Sequence, residues 1–207
     1  MQPISPDAYW YQGHTPDRYP ALSGDRQCDV AIVGGGITGL TAALLLAQAG
    51  KQVVVLEAGR VGAGTTGGTS GHLDIHPEQG FRKLVHDFGL EAAQALTAAR
   101  RDAIDRIEAV AQQSTQPCDF VRLPAFLYTE TAAGEDEIRE EVEAARKVVG
   151  DQAALALDVP LPFAAPAALR LSRQARFHVL RYLEGLAAQA QAAGATICEQ
   201  TRVLHPP

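Results

Sequence analysis

The sequence predicts an α/β protein: a parallel, Rossmann-like sheet with part of an inserted α+β domain. Three observations carry this. Two apolar, β-branched runs flank an alanine- and leucine-rich stretch. Three consecutive glycines separate the first run from that stretch, and a lone acid, Glu57, closes the second run. At 207 residues the chain is long enough for one domain with a substantial core and a piece of another.

Residues 1–27 are polar, aromatic and proline-rich and read as an irregular N-terminal arm; Tyr9, Trp10 and Tyr11 fit a role in pinning it to the core or, as the alternative, a partner contact. Cys28–Val33 is a continuous apolar run ended by glycine, as expected of a strand buried on both faces. Thr38–Gly50 is helical in composition and ends on a glycine suited to the position just past a helix. Gln52–Glu57 reads as a second buried strand. Strand, helix and strand in this span make a βαβ unit, whose crossover is right-handed.

A glycine- and threonine-rich loop, Ala58–Asp74, follows. Apolar residues Phe81, Leu84, Val85 and Phe88, then Leu96, Ile104, Ile107 and Val110, recur at helical spacing and predict a long helical region from Pro77 to Gln113. Asp119–Glu130 reads as a strand pair broken at Pro124. Glu135–Gly150 reads as an exposed charged helix, its acidic run a solvated face. The stretch 154–168, with Pro160, Pro162 and Pro166, reads as a connector. From Ala168 the pattern gives a short strand, a turn and a helix from about Arg176, and Ala195–Val203 gives a last strand.

The glycines have the spacing Gly34-x-Gly36-x-x-Gly39 between a strand and a helix. Gly34 permits the tight turn, Gly36 lets the backbone approach a pyrophosphate, and Gly39 lets the helix pack closely on the sheet; Gly35 reads as a tolerated extra. Phosphates there meet free N–H groups at the positive end of the helix, Ile37 and Thr38 among them. Glu57, at the carboxyl end of the second strand, is placed to accept hydrogen bonds from ribose hydroxyls and to repel a 2′-phosphate, which disfavours NADP. The fingerprint itself fits FAD or NAD. Its N-terminal position and the second glycine-rich loop, with Thr65, Thr66, Gly67 and Gly68, favour FAD.

Other functions are disfavoured. A net charge of −6 argues against a nucleic-acid partner, which would need a basic face. No apolar run is long enough to cross a bilayer and no secretory signal is visible, so the expected location is the cytoplasm. Cys28, Cys118 and Cys198 are widely spaced and read as isolated thiols of a reducing compartment. His76 and His86 lack partners at a metal-ligand spacing and read as surface residues, and no metal is expected. His178 reads as structural. Arg170 and Arg173 fit either a carboxylate-facing role or a solvated turn, and no Gly-x-Ser-x-Gly is present.

Residues 29–73, "DVAIVGGGITGLTAALLLAQAGKQVVVLEAGRVGAGTTGGTSGHL", resemble the N-terminal FAD-binding segment of the D-amino-acid oxidase superfamily, which includes glycine and sarcosine oxidases. Later stretches, "CDFVRLPAFLYT", "ALRLSRQARFHVLRYLEGLA" and "ATICEQTRV", are similar to a bacterial branch of FAD-dependent oxidoreductases, some of which carry a C-terminal Rieske iron–sulfur domain. The resemblance implies an FAD cofactor and a small amine or amino-acid substrate. Its reaction is oxidation of the C–N bond, with hydride passing to flavin N5 and the imine then hydrolysed by water. It matches Gly34, Gly36 and Gly39 to the pyrophosphate turn and Glu57, followed by Ala58, to the ribose-binding acid. Arg60 matches a basic position near adenosine, and Thr65 and Thr66 match loop hydroxyls approaching the phosphates. Val203 matches a position against adenine. His72 falls where the loop runs toward the isoalloxazine ring, at a position where lysine is usual; no catalytic residue is assigned.

The implied organisation is a first FAD-binding segment at 28–116, part of a substrate domain at 117–162, and a second FAD-binding segment at 163–207. Family members are longer, so the chain is expected to be an N-terminal half that does not turn over alone. A non-catalytic dinucleotide-binding remnant and an NAD-linked dehydrogenase are the competing readings.

Overall fold

The two apolar runs become parallel strands β1 (Val30–Val33) and β2 (Val53–Leu56), joined by helix α1 (Ile37–Gln48). Their register pairs Val30 with Val53 and Val33 with Leu56. Late in the chain, β7 (Thr196–Cys198) adds in parallel to the other side of β2, with Leu56 opposite Cys198, giving the order β1-β2-β7. The central β2 buries Val53, Val54 and Val55. The expectation that the first run is buried on both faces fails. β1 lies at a sheet edge, its residues alternate between half-buried and exposed, and Val33 is 65% exposed. The last strand is also shorter than its apolar run, because the chain turns at Glu199 and Gln200, the latter at φ 49.

α1 buries Leu40, Ala43, Leu44 and Ala47, a three-four spacing that makes one apolar stripe. That stripe packs against α4 (Val179–Ala192), which buries Leu180, Leu183, Leu186, Ala187 and Ala190. Gly50 ends α1 as expected. At φ 78 it donates its N–H to the Ala47 carbonyl while Lys51 N–H reaches Leu46, the paired bonds of a left-handed helix stop. α4 begins at His178, whose Nδ1 accepts the Arg181 N–H at 3.4 Å and so caps the helix.

This computed structural model describes residues 9–12 and 18–204. Of the expected arm at 1–27, residues 1–8 and 13–17 fall outside the described residues. The chain divides into one unit of residues 1–71, 109–120 and 177–207, and another of residues 72–108 and 121–176. These boundaries differ from those expected. The second unit starts at His72, claims most of the long helical region, and extends to Arg176, because the chain from Ala167 onward pairs antiparallel with strands of that unit.

In the second unit, β4 (Val121–Thr129), β5 (Ala153–Ala156) and the short β3 (His72–Leu73) all pair antiparallel with β6 (Ala167–Arg176). β4 is one strand, not a pair. Pro124 sits where the register shifts between Leu123 and Ala125, a bulge that absorbs its missing N–H. Part of the expected connector at 154–168 is β5. β6 continues through the expected turn, which survives only as Arg173 at φ 61. The helical region starts later than Pro77, as α2 (Phe81–Gln113), and Gly89 breaks it with non-helical φ 82 and ψ 165.

α3 (Glu135–Val149) packs on this sheet through Ile138, Val142, Ala145 and Val149. Its acidic run is not wholly solvated: Glu141 is buried and accepts the N–H groups of Phe81, by a short hydrogen bond, and of Arg82 at 3.1 Å. His76 is not a free surface residue either, since its Nε2 lies 3.4 Å from Glu141 Oε1. One carboxylate thus caps the first turn of α2 from another element, which a local sequence pattern cannot show.

Burial pushes the Glu141 carboxyl up, but His76 and the two amides outweigh it and hold its pKa below the ordinary 4.5. A lowered folded pKa stabilises above the unfolded value, and that stabilisation fades as pH falls through the folded value. Glu141→Gln should therefore lower stability by about 1–3 kcal/mol at neutral pH. Urea denaturation should show the gap to the wild type narrowing as pH drops below 4.5.

Candidate functional site

The first unit gathers its glycines at the carboxyl ends of β1 and β2. Gly34 leaves β1 at φ 107, a backbone state that side chains resist, and its N–H bonds the Leu56 carbonyl at 2.9 Å. Gly36 is the residue before α1 and offers no side-chain cap. A β-carbon on Gly39 would collide with the Gly34 carbonyl oxygen, and one on Gly36 would stand 3.0 Å from Thr66 Oγ1. α1 therefore starts with bare main chain. Ile37 N–H donates to Thr66 Oγ1 at 3.3 Å, while the amides of Gly36, Thr38 and Gly39 have no acceptor among the described residues. Uncapped amides at the positive end of a twelve-residue helix suit an anion.

Glu57 points into this corner. Its Oε2 accepts Gly35 N–H and its Oε1 accepts Gly59 N–H, both at 2.7 Å. Gly35 is thus not a tolerated extra. Its amide anchors the acid, and a β-carbon there would come within 3.2 Å of Val61 and 3.3 Å of Glu57. Each carboxylate oxygen retains a second lone pair that a ribose hydroxyl could use.

The second glycine-rich loop is docked on the first. Gly62 N–H donates to the Gly35 carbonyl at 3.1 Å, Thr66 holds Ile37, and a β-carbon on Gly67 would strike the Gly62 carbonyl. The loop includes a 3-10 turn, Thr65–Gly68, with Thr65 exposed and Thr66 half-buried. Ala58 and the exposed Arg60 follow Glu57 directly. Val203 lies two residues beyond Thr201, whose N–H donates to the Glu57 carbonyl at 2.8 Å.

Gly34 through Gly67 and Val203 thus belong to one unit. His72 belongs to the other: it lies on β3 opposite Arg176, with Nδ1 3.5 Å from Asp74 Oδ2.

Sequence reasoning missed Glu199. This acid is 3% exposed; its Oε1 accepts Val61 N–H at 2.7 Å and its Oε2 accepts Tyr19 N–H at 3.2 Å. A signal existed. Glu199 follows β7 as Glu57 follows β2, and the residues before them, Cys198 and Leu56, are partners in the parallel register. Gln200 adds two bonds to the Gly59 carbonyl, from its main-chain N–H at 3.0 Å and its side-chain amide at 2.9 Å.

Among the described residues, no group of three or more His, Cys, Asp or Glu side chains could hold a metal ion. No helix among them is long and apolar enough to cross a membrane.

The family model described as "DAO: FAD dependent oxidoreductase" matches residues 29–206. A Bacillus subtilis protein named as a Rieske 2Fe-2S iron–sulfur protein, YhfW, is 35% identical over 200 residues, 97% of this chain and 39% of that protein. A Rhizobium meliloti protein named as an oxidoreductase, OrdL, is 30% identical over 213 residues, 99% of this chain and 49% of that protein. Among solved structures, glycine oxidase from Geobacillus kaustophilus superposes with a TM-score of 0.66 at 23% identity, covering 85% of this chain and 47% of that one. The chain spans about half the length, or less, of the proteins it matches.

Glu199→Ala should orphan the Val61 and Tyr19 amides and cost about 1–3 kcal/mol for each amide that water cannot reach. Glu199→Gln, which keeps one acceptor, should recover part of the loss. Denaturant midpoints of the two variants measure the difference.

Proposed function

The chain belongs to the DAO family of FAD-dependent oxidoreductases, and from that premise we propose that it holds the dinucleotide of an enzyme that oxidises the C–N bond of an amine or amino acid. The uncapped start of α1 carries this reading: a β-carbon on Gly39 would strike the Gly34 carbonyl, the amides of Gly36, Thr38 and Gly39 have no acceptor among the described residues, and an acid is fixed beside them. These residues fit FAD by their chemistry.

In this reading Gly34, Gly36 and Gly39, with the amides at Ile37 and Thr38, receive the diphosphate. Glu57 accepts from the ribose hydroxyls, and Ala58, Arg60 and Val203 border the adenosine. Thr65, Thr66 and Gly67 supply hydroxyls and close backbone to the phosphates, and His72 follows that loop in the chain. When bound, FAD supplies the two-electron acceptor for oxidation beside nitrogen. The protein's part is to bind, to orient and to keep a 2′-phosphate away from Glu57.

The fold shared with glycine oxidase supports an amine or amino-acid substrate. The likeness to YhfW supports a Rieske domain in a longer form. Turnover is assigned to such a longer form, since the chain matches only part of its relatives. We place the protein in the cytoplasm, in keeping with its three free cysteines.

Titration of the purified chain with FAD should quench flavin fluorescence, and ADP-ribose should compete better than NADP. Glu57→Gln, which replaces an acceptor-only group with one that also donates, should weaken FAD binding about tenfold, or about 1.4 kcal/mol. Binding that favours NADP, or that is indifferent to Glu57, would overturn the assignment. Turnover of amines or amino acids by the longer gene product tests the reaction itself.

A further inference from the structure

The second glycine-rich loop has an anchor outside the dinucleotide fingerprint. Tyr9–Tyr11 forms a single 3-10 turn, closed by the Gln12 N–H donating to the Tyr9 carbonyl at 3.2 Å. From it the Trp10 indole N–H donates to the Thr69 carbonyl at 2.6 Å. The indole packs 5.0 Å, centroid to centroid, from the His178 ring, and the Tyr9 ring stands edge-on to it at 4.9 Å.

Beneath the indole lies Gly71 at φ 72, where a β-carbon would come within 2.6 Å of both the Trp10 ring and the Phe177 carbonyl oxygen. Phe177 N–H in turn donates to the Gly71 carbonyl at 3.1 Å. Trp10 therefore sits beside the first and the last of the chain positions where the first unit is crossed: Gly71, after which the chain first leaves it, and Phe177, where the chain finally returns. Tyr11 reaches the other end of the loop. Its hydroxyl is 3.5 Å from the Gly62 carbonyl and would be 3.1 Å from a β-carbon on Gly67. Burial pushes the Tyr11 phenol's pKa up, and the positive charge of Arg60 opposes this.

We propose that Trp10 and Tyr11 are positioning residues of the dinucleotide site, holding the Gly62–Gly71 loop in the shape that presents Thr65 and Thr66 to the diphosphate. The inference rests on the FAD reading above. Its physical basis is preorganisation. Fixing a residue's backbone costs conformational entropy, and glycine loses more freedom than any other residue. The loop holds five glycines, Gly62 and Gly71 included, and a ligand binding an unanchored loop would have to supply that ordering itself. Trp10 touches Thr69 and Gly71, Tyr11 touches Gly62 and Gly67, and none of these contacts involves Glu57 or the first glycine turn.

The test compares FAD with AMP, which has the adenosine and a single phosphate. The 207-residue chain and its Trp10→Ala and Trp10→Phe variants are titrated with each. Trp10→Ala should bind FAD about tenfold more weakly and AMP within about twofold of the wild type. Trp10→Phe, which keeps a ring over Gly71 but lacks the N–H donor, should fall between. A general loss of stability would weaken both ligands together. Trp10 is also the chain's sole tryptophan, so its emission in the wild type should shift on saturation with ADP-ribose but not with AMP, a measurement that needs no variant. The inference fails if Trp10→Ala keeps wild-type FAD affinity, if FAD and AMP affinities drop in equal proportion, or if the emission ignores ADP-ribose. A wild-type chain that takes up neither FAD nor AMP overturns the dinucleotide reading, and this inference with it.

Discussion

Two carboxylates at the ends of adjacent parallel strands organise the first unit. Glu57 and Glu199 follow paired residues of β2 and β7, and both turn inward to main-chain amides rather than outward to water. Glu57 takes Gly35 and Gly59; Glu199 takes Val61 and Tyr19. The segment from Gly59 to Val61 is thus gripped from both sides, and the Gly34–Gly36 turn is tied to the same acid that closes β2. A buried carboxylate without such donors would carry a desolvation penalty of several kcal/mol. With them it becomes a fastener for loops that could not otherwise hold a shape.

The same economy governs the start of α1. A helix normally satisfies its first amides with a capping side chain. Here the N-cap is Gly36, the neighbouring Thr66 takes one amide, and the tight approach of Gly39 to Gly34 excludes anything larger. Keeping the corner free of side chains forgoes helix stability of about 1 kcal/mol, the usual value of a cap. A chain concerned only with folding would place serine or aspartate there, so the omission is most simply understood as space kept for an anion.

The sequence made the βαβ unit legible because its signals are local. An apolar run, a glycine turn, a helix ended by Gly50 and an acid at the strand end all lie within one stretch of chain. What could not be read depends on distant partners. β1 carries the apolar residues of a buried strand yet lies at an edge, because burial depends on which strands flank it. Glu141 belongs to an acidic run that reads as solvated, and only its position against α2 makes it a cap. Arg173 and Pro124 look like breaks, but β6 and β4 run through them because antiparallel pairing tolerates a bulge and a single left-handed residue. In the site, the fingerprint glycines were readable and the roles of Gly35 and Glu199 were not. Both act through bonds across the sheet and not along the chain.

The unit boundaries follow the same logic. The first unit is assembled from three stretches of chain, so its integrity depends on what happens where the chain departs and returns. At one such place Phe177 bonds Gly71, and His178 N–H donates to the Cys118 carbonyl at 2.7 Å, joining all three stretches within a few residues. A discontinuous domain must meet the entropy of closing each excursion, a cost that grows only slowly with the length inserted. A long insertion is therefore tolerated if its ends are firmly held. The glycine at position 71, unable to carry a side chain under the indole and the Phe177 carbonyl, is as much a requirement of that closure as Gly39 is of the tight turn between β1 and α1.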